Sequence, residues 1–317
     1  MIATAPRRPS LARVVTQGKA LPDRIVLYAP PGWGKTTFAT GFPRPIFLMT
    51  PGEDRLVRLI EQGLVPQTAH FQDLATSFLD VRAAVRDLID LEHDHQTLVI
   101  DAATGAERLA HEQIAIQHFS RDDGEADWGE HGFNGFGKGE KISANQLWMP
   151  FLQLLDDLRA TRRMRIVLLC HSGTHSQRNP DGPDYDKVAP LSKQAWAFTS
   201  KWADMILRGS VEVTLKKDDP KSKIAKAKAQ GGNVRILHTV GAAAFDAKNC
   251  HRLPPTIRLG EDPHRAFDAF RAAFPKRQEV SNGHGTTHDL NGTGPRTLAT
   301  VGATTAAPPD AQPASDP

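Results

Sequence analysis

Ala29-Pro30-Pro31-Gly32-Trp33-Gly34-Lys35-Thr36 is the stretch that decides the fold of this chain. It matches the spacing G-x-x-x-x-G-K-[ST], with Ala29 in place of the first glycine, a mild departure that a methyl group can satisfy. The apolar run Arg24–Ala29 (RIVLYA) before it reads as a buried strand, and a helix is expected from Lys35 to Gly41. A strand, a glycine turn and a helix N-terminus in that order form a cradle for phosphate, because backbone N–H groups and the helix dipole converge on it. Pro31, Gly32, Trp33, Gly34, Lys35, Thr36 and Thr37 are therefore the candidate nucleotide-binding residues. Lys35 can reach the β- and γ-phosphates, and Thr36 can ligate Mg²⁺. ATP and Mg²⁺ are the expected ligands.

Working outward, Thr97–Asp101 (TLVID) is a strand whose terminal carboxylate belongs beside the metal, so Thr36 and Asp101 are the candidate Mg²⁺ residues. Asp101 is followed by Ala102-Ala103-Thr104, which offers no glutamate to position water. The strand after the phosphate-loop helix supplies one instead: FLMTPGED ends in Glu53 and Asp54. Glu53 is the candidate water-orienting residue, and its competing role is a charge placed at the N-terminus of the helix EDRLVRLIE.

Other elements follow the same alternation. Pro45–Met49 and Arg165–Cys170 read as buried strands, and Leu79–Glu92, Ala103–Phe119 and Ala144–Thr161 as helices, with Pro150 a kink or first-turn residue. Short apolar strands between helices predict an α/β fold with a mainly parallel sheet covered on both faces. Val211–Leu215 and Val234–Val240 alternate in polarity and predict an antiparallel hairpin at the sheet edge, and a last helix is expected within Pro263–Phe274. Residues 1–22 read as a flexible lead-in, 23–274 as the folded domain, and 275–317, which lacks any aromatic residue, as a disordered tail.

Composition excludes more than it assigns. The chain has 317 residues and nearly balanced charge, 39 Lys+Arg against 36 Asp+Glu, so a nucleic-acid partner has to be argued from local clusters. Two cysteines are too few for a disulfide framework, and no apolar run reaches bilayer length, so a reducing cytoplasm and no membrane partner are expected. Cys170, His171 and His175, and again Cys250 and His251, invite a metal reading. Only one H-x₃-H spacing occurs in that region, with no second ligand pair there, so no metal besides Mg²⁺ is expected.

Taken together, APPGWGKTT, TLVIDAATG, FNGFGKGE, RIVLLCHSGTH, KWADMIL and AAAFDAKNCHRLPPTI, in that order, resemble the phage-type RecA-like nucleotide-binding ATPases over roughly Arg24 to Leu259. That group includes single-strand annealing recombinases. The resemblance implies a RecA-like core, ATP hydrolysis, a homo-oligomer, and action on single-stranded DNA in recombination or replication, with a single-strand-binding protein as a further partner. It implies that His171 senses the γ-phosphate, while a partly buried strand-end histidine is its plain structural alternative. It also implies that Gly132–Gly139 and a turn-rich loop over Ser172–Pro190 face DNA, and that a basic finger, from among Lys187, Lys193 and Arg235, comes from a neighbouring subunit. Many relatives carry Arg directly after AKN, where this chain has Cys250 and His251 before Arg252.

Candidate DNA contacts are Phe133, Phe136 and Lys138, with Lys141 nearby, since aromatics beside cations suit base stacking; phenylalanines that pin a loop to the core are the alternative. Lys216 and Lys217 open a cluster of six lysines against two aspartates through Lys228, which a solvated hairpin tip would also explain. Two other functions use the same loop: a non-hydrolysing nucleotide-gated scaffold and a small-molecule kinase. A kinase needs an arginine-bearing lid over its substrate, and no compact Arg-rich lid is evident.

Overall fold

The computed structural model describes residues 11, 14, 20–178, 182–216 and 228–275; of residues 214–216 and 228–231 it describes the backbone alone. The expected lead-in and tail fall almost wholly outside the described residues, as does Lys217.

Strand β1 (Arg24–Ala29) is buried from its second residue onward. Pro30 and Pro31 end it by removing two ladder donors, and α1 (Lys35–Ala39) starts directly after the left-handed Gly34. Next come β2 (Pro45–Met49), α2 (Arg55–Glu61) and the short β3 (Ala69–His70). Helix α3 (Phe78–Asp90) opens on a capping box: Ser77 Oγ accepts from the Asp80 N–H at 3.1 Å, and the Asp80 carboxylate accepts from the Ser77 N–H at 2.8 Å. Strand β4 (Thr97–Asp101) then leads straight into α4 (Ala103–His118). Helix α5 (Lys138–Ser143) continues through a π turn at Ala144–Trp148 into α6 (Met149–Arg162). Pro150 lies in the first turn of α6, after that wider turn, where its missing N–H is tolerated.

The chain continues through β5 (Arg165–His171), β6 (Gly173–Gln177), β7 (Tyr185–Ala189) and α7 (Lys193–Trp202). It closes with β8 (Met205–Lys216), β9 (Lys228–His238), β10 (Thr256–Gly260) and α8 (Ala266–Ala272). Among the described residues one eight-stranded sheet runs β10-β9-β8-β1-β5-β4-β2-β3, parallel from β8 to β3 and antiparallel from β8 to β10. The expected α/β architecture, a mainly parallel sheet flanked by helices with an antiparallel part at one side, is the observed one.

Period-two alternation divides the core. Val26, Tyr28, Leu98, Ile100, Ile166 and Leu168 pack under α3, α4, α6 and α7. Their neighbours Ile25, Leu27, Val99, Val167 and Leu169 face α1, α2 and α8 on the other side. Strands buried on both faces read as unbroken apolar runs, which is why each was recognisable in sequence.

The segment after His171 departs from expectation. Instead of a loop over Ser172–Pro190, β6 and β7 pair antiparallel from Gly173↔Ala189 to Gln177↔Tyr185. Thr174, His175 and Ser176 pair with Val188, Lys187 and Asp186. Turn chemistry marked where the chain reverses but hid the short polar strands flanking the reversal.

A charged node joins three elements at the start of β1. Arg24 donates to Asp204 through Nη2 at 2.8 Å and Nε at 3.1 Å, and to Asp156 of α6 at 3.1 Å. Arg159 reaches Asp204 at 3.3 Å, and the Arg24 guanidinium lies over the Trp202 ring. The Trp-Ala-Asp element is therefore the corner at which α7 turns into β8 beside β1. Replacing Asp204 by Ala leaves two partly buried arginines without their shared anion. Denaturant unfolding of D204A should show a loss of about 2–3 kcal/mol with an unchanged m-value, below the cost of a fully buried pair because the node reaches solvent.

Candidate nucleotide site

Parallel pairing sets the carboxyl ends of β1, β2, β4 and β5 along one edge, with Ala29 opposite His171 and Met49 opposite Asp101. The phosphate loop, Glu53, Asp101 and His171 emerge from that edge. Gly32 and Gly34 take left-handed φ of 78° and 98°, and a Cβ at Gly34 would meet Pro263 at 3.3 Å. The loop thus needs glycine at Gly34 for both conformation and space.

Within the site Lys35 is buried, and its Nζ donates to the Ala29 and Pro30 carbonyls at 3.1 and 3.4 Å and lies 3.3 Å from His171 Nδ1. Burial lowers its pKa, against the opposing pull of Asp101 and Glu53. His171 Nε2 is hydrogen bonded to Glu53 Oε1, and that bond is the main cause holding the Glu53 carboxyl below its usual range. Lys35, His171 and Glu53 therefore form one chain of contacts across the ends of β1 and β5 and the turn after β2. Thr36 Oγ1 donates to Asp101 Oδ2 at 2.7 Å. Burial pushes the Asp101 carboxyl up to about 6 in spite of that bond.

Thr50 fixes the spacing between the Glu53 turn and Asp101. Its N–H donates to Asp101 O at 2.8 Å, and its hydroxyl both accepts from the Ala102 N–H at 3.1 Å and donates to Ala102 O at 3.3 Å. A Cβ on Gly105 would lie 2.1 Å from that hydroxyl, so α4 can approach β2 only with glycine at this position.

The cavity bounded by Gly32, Lys35, Thr36, Glu53, His171 and Arg235 measures about 270 Å³. A neighbouring cavity of about 560 Å³ shares Thr37 with it and runs along α1 to His264, Phe267 and Arg271 on the α8 side. The donor set suits a magnesium nucleotide: a desolvated amine that lacks a matching anion, a hydroxyl paired with a buried carboxylate, and a glycine loop open to backbone donors. Thr36 and Asp101 are the residues that would hold the ion.

Trp33 neither stacks over an open site nor faces outward. It is buried, its Nε1 donates to Ser210 O at 2.9 Å, and its ring packs beside Gly209 and Phe38. Arg235 lines the phosphate cavity of its own chain, with Nε donating to Trp33 O at 2.6 Å. Lys187 is ion-paired with Asp246 at 2.8 Å. Lys193 lines a separate cavity beside the β6–β7 hairpin. Arg55, at the start of α2, joins the phosphate cavity. Its sequence signal was only its position two residues after Glu53.

The glycine-rich loop separates its two phenylalanines. Phe133 is buried against His111, Phe119 and Trp128, so the pinning role applies to it and its ring faces are covered. Phe136, at a left-handed φ of 50°, is wholly exposed. Lys138 follows it at the start of α5, with Nζ over the Phe119 ring. Of Lys216 only the backbone is described.

The chain belongs to the AAA domain family, whose model matches residues 21–251. It is a P-loop NTPase. Among solved structures, the crystal structure of the RadB recombinase is similar at 14% identity and a TM-score of 0.39, over 77% of this chain and 90% of that one. The comparison with curated proteins returned no match. No helix among the described residues is long and apolar enough to cross a membrane.

The raised Asp101 carboxyl predicts a pH signature. Because its folded pKa lies above the unfolded value of 3.8, it destabilises the fold as pH rises from about 4 through 6, and the full cost is present above that window. Asp101→Asn should therefore raise the nucleotide-free stability by about 2–3 kcal/mol at pH 7 and change it little at pH 4, read by denaturant titration. The same variant should lose the Mg²⁺ dependence of nucleotide affinity.

Proposed function

We propose that residues 23–274 form an ATPase domain that hydrolyses ATP with Mg²⁺, assembles as a homo-oligomer and acts on single-stranded DNA in phage-type recombination or replication. The observation that carries this reading is the contact chain Lys35–His171–Glu53. It couples a phosphate-binding amine, a strand-end histidine and a carboxylate, and His171 is two residues from the exposed hairpin β6–β7.

In this reading water attacks the γ-phosphorus in line, the bond to the β–γ bridging oxygen breaks, and ADP and phosphate leave. Glu53 orients the attacking water and takes up its proton. Lys35 exchanges its two carbonyl partners for phosphate oxygens, which matches a desolvated amine with a charge it lacks in the free protein. Thr36 and Asp101 would hold Mg²⁺, which would supply charge neutralisation at the β- and γ-phosphate oxygens. Arg55 and Arg235 add positive charge from the same chain. The base and ribose extend past Thr37 into the cavity along α1. Moving Lys35 toward phosphate loosens its contact with His171, which frees Glu53 and repositions the start of β6. Phe136, exposed and followed by Lys138 and Lys141, is the stacking and phosphate-contact element for DNA.

Lys35→Ala should abolish nucleotide binding in equilibrium titrations. Glu53→Gln should retain binding and lower kcat by about 10²–10⁴-fold. An unchanged rate of phosphate release in E53Q would remove hydrolysis through Glu53 and favour a nucleotide-gated scaffold. For DNA, ATP turnover is measured with and without single-stranded oligonucleotide across a salt series. Stimulation that weakens with salt is expected, with Phe136→Ala costing about 1–3 kcal/mol of DNA affinity. Salt-independent turnover with no stimulation would defeat the DNA reading and leave the nucleotide site intact.

A further inference from the structure

At the opposite end of β1 from the phosphate loop, the fold brings together three side chains that sequence spacing keeps apart. Asp23 precedes β1, and Cys250 and His251 lie in the connection from β9 to β10. Their Oδ, Sγ and ring-nitrogen atoms all lie within 4.8 Å of one another. His251 Nε2 is 3.0 Å from Asp23 Oδ1. We infer that Asp23, Cys250 and His251 form a binding site for a borderline-soft divalent cation, Zn²⁺ being the best match, with a fourth position left to solvent.

The dimensions suit this assignment. Tetrahedral Zn²⁺, with bonds of about 2.0–2.3 Å to oxygen, nitrogen and sulfur, holds its ligand atoms roughly 3.4–3.6 Å apart. Closing from the observed separations takes shifts of about 1 Å, within reach of the exposed Cys250 side chain. One thiolate, one imidazole and one carboxylate select a cation of intermediate softness over Mg²⁺. An ion pair between His251 and Asp23 accounts for two of the groups and leaves the thiol beside them without a role.

The surroundings hold the ligands in place. Asn249 Oδ1 accepts from the His251 and Leu253 N–H groups at 3.2 and 2.9 Å, while Phe274 packs against the His251 ring. Asp23 also lines a cavity of about 410 Å³ walled by Phe42, Phe267, Phe270, Phe274 and Arg165. The six residues of β1 separate this cluster from the phosphate loop by about 20 Å, so the site and the Mg²⁺ position do not overlap.

The test uses the untagged full chain in excess Mg²⁺ and titrates Co²⁺ as a spectroscopic substitute for zinc. One equivalent should bring tetrahedral visible bands and a thiolate-to-metal charge-transfer band, and Zn²⁺ should displace it. Cys250→Ser, at an exposed position, should keep the metal-free thermal midpoint, lose the charge-transfer band and weaken Zn²⁺ binding at least about a hundredfold. Asp23→Asn should keep the charge-transfer band and weaken binding. No charge-transfer band in the wild-type chain, or a band that survives in C250S, would overturn the site. The other thiol, Cys170, is wholly buried and cannot substitute for it. Because the readout is metal binding, failure here leaves the ATPase reading untouched.

Discussion

Parallel strands end on the same side. That constraint organises this protein, because four consecutive core strands bring their carboxyl ends to one edge, and the phosphate loop, Glu53, Asp101 and His171 all leave the sheet there. Ala29 delivers the glycine loop, the turn after Met49 delivers Glu53, and Asp101 and His171 are themselves strand ends. The sheet supplies position and two of the reactive groups, Asp101 and His171, and the loops supply the rest.

The cost of that gathering is electrostatic. Lys35 and Asp101 are nearly removed from water, and burial shifts both toward their neutral forms. The protein holds them with local partners: carbonyls for the amine, the Thr36 hydroxyl for the carboxylate. These partners satisfy hydrogen bonding without neutralising charge, so the site has the most to gain from a ligand that carries both phosphate and a divalent cation. The Arg24–Asp204 node at the far end is the contrasting case, with opposite charges in direct contact and a purely structural role.

The short edge of the fold shows how tertiary placement alters a residue's meaning. Arg235, a candidate for a finger reaching into a neighbour, turns inward because β9 pairs beside β8 and sets its side chain over Trp33. Trp33 itself fills the space beside Gly209, with Nε1 bonded to Ser210 O. Phe133 and Phe136 are three residues apart, yet one is core and the other is bare; Gly139, lacking a Cβ, leaves room for the Phe133 ring.

Much of this was legible in the amino-acid sequence, for a local reason. Phosphate binding needs a strand, a glycine turn and a helix start in continuous order, so Ala29–Thr36 carries its own context. The doubly buried strands likewise announce themselves as apolar runs, and Asp101 and Glu53 stand at strand ends that can be counted. What the sequence left open depends on pairs distant along the chain. The β6–β7 hairpin rests on short polar strands that lack apolar alternation. The contact of His171 with both Lys35 and Glu53 joins the end of β5, the start of α1 and the turn after β2, and the meeting of Asp23 with Cys250 and His251 joins the residue before β1 to the β9–β10 connection. Sequence by itself determined which chemistry the chain can offer, because each motif is contiguous. Only the tertiary structure decided which groups share a site, because strand order, and not spacing along the chain, sets the distances between them.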